Sequence, residues 1–368
     1  MSWTGGDLRN NHTARGVMII LFFLTFFGAR GHAKGTPVSI APRPILDIFF
    51  LPSGQGWLVA SDGPEEYLFK TDDGGEHWSK HLLNFPIANI FFLDNNRGWG
   101  IAIEAEKFML VATSDGGVNW KKICAIPQVS SASTILSSLL FGDSEKGWIL
   151  GSKSKGLSIV LEADAAAASV KKLPALSGIE GLGTGIFRDQ RSGQLWIVGN
   201  DSILLSSDSG AAWKSIVNLG NLPGKRKAIS FTAGQAVGDG KVFVVGESAG
   251  GVIFRTEDGG LHWDLANESE ETHGFRDIQF WDENHGCTVG SSTYLVCTSD
   301  GGNTWKARKV LPKSNEDMLF MDNIFTRIVF LDNGKRGWAL ASGGFLFQSD
   351  DSGNTWHQLD LFAATTAD

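Results

Sequence analysis

Short apolar runs separated by Gly, Asp and Asn residues recur along most of this chain of 368 residues. In one stretch they occupy residues 89–93, 98–103, 108–113 and 120–124. The runs are apolar or alternate apolar with polar residues, as β-strands do, and the residues between them favour turns. The pattern predicts four short strands in each unit of about 40 residues.

A turn motif, [Ser/Thr]-x-Asp-x-Gly-x-x-Trp, occurs six times, first from Thr71 to Trp78. A seventh copy keeps its Asp but has lost the Gly and the Trp. The seven aspartates lie 42 to 51 residues apart and are Asp73, Asp115, Asp164, Asp208, Asp258, Asp300 and Asp351. Four strands for each of seven copies predicts an all-β fold, a single seven-bladed β-propeller of four-stranded antiparallel blades.

We interpret the motif as the turn between the third and fourth strands of a blade. An Asp carboxylate accepts nearby backbone N–H groups, Gly permits positive φ, and a Ser or Thr hydroxyl bonds within the same turn. The Trp then fills the space between adjacent sheets. Because each blade carries one copy, the seven aspartates cannot converge on one metal ion or one substrate.

A second aromatic position precedes the turn motif in most units. Eleven of the 13 Trp residues hold repeat positions, so Trp is interpreted as a packing residue. The Gly-Trp pairs of the second strand are Gly56-Trp57, Gly98-Trp99, Gly147-Trp148 and Gly337-Trp338.

The repeated turn resembles the Asp-box, also called the BNR repeat, over residues 45–361. The Gly-Trp-x-x-Gly pattern that begins at Gly147 is most similar to the photosystem II stability/assembly factor family. That resemblance implies a non-enzymatic, exported or lumenal propeller that binds a membrane-protein partner through a basic patch. Sialidases and other glycoside hydrolases share the Asp-box, so a glycan-binding or glycan-hydrolysing propeller is the alternative.

The first 33 residues have the pattern of an export signal. Arg9 and Arg15 precede an apolar run at 17–27, and Gly31 and Ala33 suit a cleavage site. The run is too short to span a bilayer, so cleavage is favoured over retention as an anchor. We expect an exported protein, periplasmic or secreted. Its predicted parts are a signal peptide (1–33), an N-terminal extension (34–44), the propeller (45–361) and a C-terminal tail (362–368).

Closure of the ring has two alternatives. Residues 356–362 can supply the fourth strand of the last unit, and residues 37–40 can instead add to a blade edge.

The composition of the chain limits the kinds of partner that it is expected to bind. A net charge of -8 argues against nucleic-acid binding, which depends on cations that neutralise phosphates. Forty-six Gly residues without a collagen period indicate many tight turns. We expect a monomer with a protein partner, no cofactor and no metal, and a glycan remains the alternative ligand.

Three cysteines are present, and two of them flank a predicted hairpin. Pairing centred on Ser292 would place Cys287 opposite Cys297, and an oxidising compartment would allow a disulfide. The alternative is two buried thiols. Cys124 is interpreted as a core residue.

A cationic surface is predicted where loops connect successive blades. Lys225, Arg226 and Lys227 precede the first strand of blade five, Arg276 holds the register of Lys227 in blade six, and Arg327 lies one residue off in blade seven. In an acidic protein, such cations indicate an anionic partner. The alternative is separate, solvated turn residues.

The loop at 308–326 is the other candidate binding surface, because Met and Phe residues in a loop favour partner contacts. Its alternative is that it folds over its own blade. The residues concerned are Met318, Phe320, Met321 and Phe325.

No catalytic residues are predicted. Asp47 and Asp277 share a register, three residues before Phe50 and Phe280, so both are expected to face the channel. A carboxylate pair across the channel would suit a glycosidase, which is the enzymatic alternative.

Overall fold

The computed structural model describes residues 45–130, 134–142, 145–153, 157–173, 183–217, 222, 228–269, 272–310 and 324–364. Several predictions concern residues outside these ranges. They include the signal peptide, the N-terminal extension with the alternative edge strand at 37–40, the cations Lys225, Arg226 and Lys227, and the loop residues Met318, Phe320 and Met321.

The first three blades are formed by twelve consecutive strands. Blade one has β1 (Ile45–Phe50), β2 (Gly56–Asp62), β3 (Glu65–Thr71) and β4 (Ser79–Leu82). Blade two has β5 (Ile87–Phe92), β6 (Gly98–Glu104), β7 (Lys107–Thr113) and β8 (Lys121–Ser130). Blade three has β9 (Thr134–Phe141), β10 (Lys146–Lys153), β11 (Leu157–Asp164) and β12 (Ser169–Lys172).

The remaining four blades continue the same order. Blade four has β13 (Gly183–Arg188), β14 (Leu195–Gly199), β15 (Ser202–Ser206) and β16 (Lys214–Ser215). Blade five has β17 (Ser230–Gly238), β18 (Lys241–Glu247), β19 (Gly251–Thr256) and β20 (Asp264–Ser269). Blade six has β21 (Phe275–Phe280), β22 (Gly286–Gly290), β23 (Ser292–Thr298) and β24 (Lys306–Lys309). Blade seven has β25 (Phe325–Leu331), β26 (Arg336–Ala341), β27 (Phe345–Ser349) and β28 (His357–Leu359), followed by α1 (Leu361–Ala364).

Each blade is an antiparallel sheet whose four strands pair in chain order. The first strands of consecutive blades lie side by side around a central channel. These observations confirm the prediction of an all-β, seven-bladed propeller. None of the helices formed by the described residues has the length and apolar character needed to cross a membrane.

One local expectation is corrected by the structure. Phe325, expected in an exposed loop, begins β25 and is fully buried between blades six and seven. Its burial follows from its ring contact with Phe347, 5.7 Å away between centroids.

The core is divided among the blade interfaces. The buried apolar side chains of the described residues form seven clusters, each shared by two adjacent blades. Blade faces therefore bury each other, and no blade has a sufficient core of its own.

At four interfaces the second-strand aromatic of one blade packs against the turn glycine of the next. Trp338 lies against Gly75 and Trp148 against Gly210 so closely that a Cβ on the glycine would overlap the ring, and Trp196 lies 3.3 Å from such a Cβ on Gly260. Phe243 has the same relation to Gly302. Blade three lacks the motif glycine, and there Trp99 of blade two instead stacks on Phe141, with centroids 4.4 Å apart.

The interface between blades seven and one, called the closing interface here, joins the two ends of the ring. In the described residues, β28 pairs within blade seven and β1 pairs within blade one, so no strand pairing joins the two blades. Side chains and loops make the contacts instead. The Arg336 guanidinium donates to the Asp73 and Gly74 carbonyl oxygens at 2.7 and 3.0 Å and to Glu76 at 2.7 Å. The second-strand Trp338 also stacks on Phe50.

The C-terminal residues contribute to the same interface. Phe362, at the predicted start of the tail, makes edge contacts with Tyr67 and Phe69 of blade one. Leu361 is 2% exposed and belongs to the shared cluster. Leu361 and Phe362 therefore cover part of blade one.

We predict that Gly75→Ala destabilises the protein by about 2 kcal/mol more than Gly259→Ala in thermal unfolding. Both glycines have positive φ, +90° and +71°, and strain alone costs about 1–2 kcal/mol. Only Gly75 faces a neighbouring ring, Trp338, and overpacking adds about 1–3 kcal/mol. Equal losses for the two variants would show that the closing interface tolerates the added methyl group.

Candidate functional site

The six intact turns share one hydrogen-bond pattern. The Ser or Thr hydroxyl donates to the Asp carboxylate at 2.7–2.9 Å. The motif Gly donates its N–H to that hydroxyl at 2.8–2.9 Å. The carboxylate accepts the N–H of the residue four positions later, at 2.8–3.0 Å. These bonds leave each Asp committed to its own turn.

The motif Trp completes the turn in four blades, because its indole N–H donates to the carbonyl of the motif Gly at 3.1–3.2 Å. The residues are Trp78, Trp213, Trp305 and Trp356. In the seventh, divergent copy Asp164 still accepts an N–H, from Ala167 at 2.8 Å. The Asp therefore retains a capping contact where the Gly and Trp are lost.

The turn carboxylates are stabilised in their charged form. Burial acts to raise the pKa of Asp73, but hydrogen bonds from His77 and Thr71 outweigh it and lower the pKa to about 2. Hydrogen bonds from His262 and from Thr304 likewise lower the pKa of Asp258 and of Asp300. Asp73, Glu76 and His77 lie close together and are exposed, but Glu76 is paired with Arg336.

The channel is where the blades differ most. Each innermost strand carries a register shift at the same place, and the next residue holds an equivalent position facing the channel. We call these seven residues the channel ring; in blade order they are Asp47, Asn89, Ser138, Gly185, Ala233, Asp277 and Arg327. All seven line a cavity of about 200 Å³.

The two ring aspartates connect neighbouring blades. Asp47 accepts the N–H of Ile48 at 3.0 Å and that of Ile90, in blade two, at 3.1 Å. Asp277 accepts the N–H of Ile278 at 3.0 Å and that of Ile328, in blade seven, at 2.9 Å. Each carboxylate therefore bonds its own innermost strand and the next one.

Arg327 stands between the two aspartates in the order of the ring. Its Nε lies 3.8 Å from an Asp47 oxygen, its Nη1 donates to the Thr326 carbonyl at 3.4 Å, and its side chain is 40% exposed. Burial raises the pKa of Asp47 and of Asp277 against the opposing effects of Arg327 and the backbone N–H groups. The charge of Asp47 raises the pKa of Asp277 further.

Two glutamines add links that the sequence analysis did not identify. The Gln235 amide donates to the Phe280 carbonyl at 3.0 Å and accepts the Phe280 N–H at 2.7 Å. Gln279 makes the same pair of bonds to Phe330 of blade seven. Both glutamines could have been found from their register, because each lies one residue before the position that Phe50 holds in its own first strand.

The predicted cationic residues are separated by the structure into different environments. Arg327 belongs to the channel ring, and its signal in the sequence is that it precedes Phe330 by three, as Asp277 precedes Phe280. Arg276 is the extra residue of the register shift in β21 and pairs with Glu247 at 3.1 Å. Lys225, Arg226 and Lys227 lie outside the described residues, so the common cationic surface stays a prediction.

The two hairpin cysteines are directly opposite each other in the β22–β23 register and are joined by a disulfide. Cys287 is buried in the cluster between blades six and seven. Cys124 is a half-buried thiol on β8, and burial raises its pKa.

The chain is similar in sequence to known proteins with the same repeats. A family model described as photosynthesis system II assembly factor YCF48 matches residues 133–275 and 268–365, which together exceed half of the chain. The chloroplastic photosystem II stability/assembly factor HCF136 of Oryza sativa subsp. japonica is 30% identical over 82 residues, 22% of this chain and 18% of that protein. A photosystem II assembly lipoprotein Ycf48 from a Synechococcus strain is 33% identical over 86 residues, 23% of each chain. The matched stretches thus span about a fifth of the relatives' length.

Solved structures share the fold at low identity. A structure described as YCF48 bound to D1 peptide has a TM-score of 0.58 and 20% identity, over 83% of this chain and 93% of that one. YCF48 from Cyanidioschyzon merolae gives a TM-score of 0.56 at 18% identity, over 83% and 95%. A puromycin hydrolase mutant gives 0.59 at 11% identity, over 89% and 56%, so this likeness by itself establishes the propeller alone.

We predict that Asp73→Ala lowers the free energy of unfolding by about 1 kcal/mol at pH 6, because its turn loses charge-assisted hydrogen bonds. The pKa of Asp73 is about 2 when folded, against an ordinary 3.8. Its contribution is therefore complete above about pH 4 and is lost as the pH falls through about 2. Urea unfolding of both proteins across pH 2–6 should show the difference shrinking in acid. Asp72→Ala, whose carboxylate is 70% exposed, is the matched control, and an equal loss there would contradict the turn assignment.

We also expect one reactive thiol in the unreduced, denatured protein and three after reduction. The first count corresponds to Cys124 and the second adds Cys287 and Cys297. Alkylation followed by intact mass spectrometry measures both numbers. Three alkylated thiols before reduction, in protein prepared under oxidising conditions, would contradict the disulfide.

Proposed function

The chain belongs to the family of the photosynthesis system II assembly factor YCF48, and we propose from this membership that it is an exported, non-enzymatic binding protein. Its proposed role is to bind a segment of a membrane or envelope protein during assembly of a complex. The observation that carries this proposal is the family match, which covers blades three to seven. A related propeller described with a bound D1 peptide supports a peptide segment as the ligand.

The two ends of the propeller differ in what they offer a partner. In an antiparallel blade, the motif turn and the loop after the first strand lie at one end, and the loops between blades lie at the other. At the motif end the loops bond each other, as Gly74 N–H does to Gly54 and Gly116 N–H to Asn96, both at 2.9 Å. We therefore place the partner at the end formed by the interblade loops, called the interblade end below.

The cationic residues considered for this surface come before first strands or at their starts in the sequence, and we assign them to the interblade end. Arg276 is already paired with Glu247, and Arg327 lies in the channel beside Asp47. Lys225, Arg226 and Lys227 are therefore the residues on which the proposed anionic contact mainly depends. In a chain of net charge -8, these cations would orient an acidic segment of the partner.

The arrangement of the channel carboxylates favours binding over hydrolysis. A glycosidase needs one carboxyl group to donate a proton and a second to act as base or nucleophile. Here both Asp47 and Asp277 accept two backbone N–H groups, which fixes them as links between blades. This supports the non-enzymatic assignment against the glycan-hydrolysing alternative.

We predict that the triple variant Lys225→Glu, Arg226→Glu and Lys227→Glu weakens capture of the partner about tenfold. Exposed charge contacts contribute about 0.5 kcal/mol each, and tenfold corresponds to about 1.4 kcal/mol. The measurement is affinity capture from the native membrane fraction with quantitative mass spectrometry, at low and at high salt. Because salt screens exposed charges, the difference from the unmodified protein should shrink at high salt.

The matched control reverses three exposed cations at the starts of the outer strands β8, β16 and β24, near the motif end. These are Lys121, Lys214 and Lys306. The control changes the net charge equally, so equal loss of capture in both variants would reject the proposed surface. Unchanged capture in the first variant would reject it as well.

A further inference from the structure

The channel ring has two unequal arcs. Blades six, seven, one, two and three contribute Asp277, Arg327, Asp47, Asn89 and Ser138, which are charged or polar. Blades four and five contribute only Gly185 and Ala233. The channel-ring side chains are therefore small on one side of the cavity of about 200 Å³ and polar or charged on the other.

The charges around this cavity do not balance. Among its described lining residues, Asp47, Asp277 and Arg327 are the charged ones. Two carboxylates and one guanidinium leave one negative charge when all three are ionised. Arg327 lies nearer Asp47, with Nε 3.8 Å from its Oδ1, and no ion pair within 4.0 Å joins Asp277 to another described side chain.

The Asp277 carboxylate also retains acceptor capacity. A carboxylate offers about four lone-pair sites. Each Asp277 oxygen accepts one backbone N–H, from Ile278 or from Ile328, so about one site on each oxygen is left. The side chain is half-buried, and the cavity is the space it borders.

We propose that the channel is a second binding site, for an ammonium or guanidinium group, with Asp277 as the accepting carboxylate. A group with one positive charge neutralises the ring and fills the remaining acceptor positions of Asp277. Phe49 and Phe91, whose rings meet at 5.3 Å, lie two positions deeper on their strands and offer an apolar contact for the stem of such a group. The site is distinct from the cationic surface of the interblade end and has the opposite charge preference.

An anion held by Arg327 is the competing assignment. It would bring a further negative charge next to two carboxylates, of which Asp47 is 7% exposed. The cost of unbalanced charge rises in such a poorly solvated site, which is why we favour the cation.

The pH dependence follows from the same groups. Burial, with Asp47 adding to it, raises the pKa of Asp277, and Arg327 is the cation that opposes this. A bound cation favours the ionised carboxylate, so binding should strengthen as the pH rises through the pKa of Asp277.

The test uses butylammonium and Nα-acetyl-lysine amide as cationic probes and acetate as the anionic probe, each titrated into the ¹⁵N-labelled protein. The reporters are the amides of Ile328 and Ile90, which donate to Asp277 and Asp47. We expect saturable shifts at Ile328 with both amines and none with acetate. Absence of a saturable shift with the amines would overturn the proposal.

Two substitutions have opposite expected effects. Asp277→Asn should weaken amine binding about tenfold, and Arg327→Gln should strengthen it several-fold, because the ring loses an anion in one case and a cation in the other. Asp264→Asn, at an exposed position of β20, is the matched control and should change nothing. If Asp277→Asn does not fold, Arg327→Gln still decides between the two assignments. Weaker amine binding in Arg327→Gln would contradict a cation site. Acetate binding by the unmodified protein that Arg327→Gln loses would identify an anion site.

Capture of the partner by the Asp277→Asn variant distinguishes the two possible sources of the cation. If a basic side chain of the partner enters the channel, Asp277→Asn lowers both amine binding and capture of the partner. If a small free amine is the ligand, the variant lowers amine binding alone. Loss of capture by the Lys225–Lys227 variant with normal amine binding would concern the proposed function and leave this site intact.

Discussion

The structure depends on the packing of successive blades against each other, and at four interfaces a second-strand aromatic ring lies against the turn glycine of the next blade. The glycine leaves room for the ring, and the Ser/Thr and Asp side chains hold the turn that presents the glycine. The motif is thus a device for packing between blades as much as a turn within one. The mutual burial of neighbouring blade faces explains why seven apolar clusters, each shared by two blades, replace a single core among the described residues.

The closing interface joins two blades that are not consecutive in the chain, and it has additional contacts. Trp338 and Gly75 meet as at other interfaces, but Arg336 adds three bonds to the blade-one turn, and Leu361 and Phe362 cover blade one. Among the described residues, a guanidinium and a C-terminal aromatic residue thus join the two ends of the ring.

Much of this could be predicted from sequence because local residue types determine it. Gly-Trp pairs and the turn motif gave the blade number, strand order and family, since each needs its particular backbone and side-chain chemistry. The channel was less accessible. Asp47 and Asp277 were placed by register, yet Arg327 was assigned to a loop surface, although it precedes Phe330 by three residues as Asp277 precedes Phe280. Phe325 was misplaced for a related reason, as an apolar loop boundary resembles a strand start.

The motif end is held together as a scaffold, and the interblade end is the proposed binding surface. Hydrogen–deuterium exchange of the protein with and without its captured partner tests this division most directly. We expect partner-dependent protection from exchange in the segments at the starts of β17, β21 and β25. Exchange in the turns at Asp73, Asp115 and Asp300 should not change. Protection confined to those turns would contradict the account.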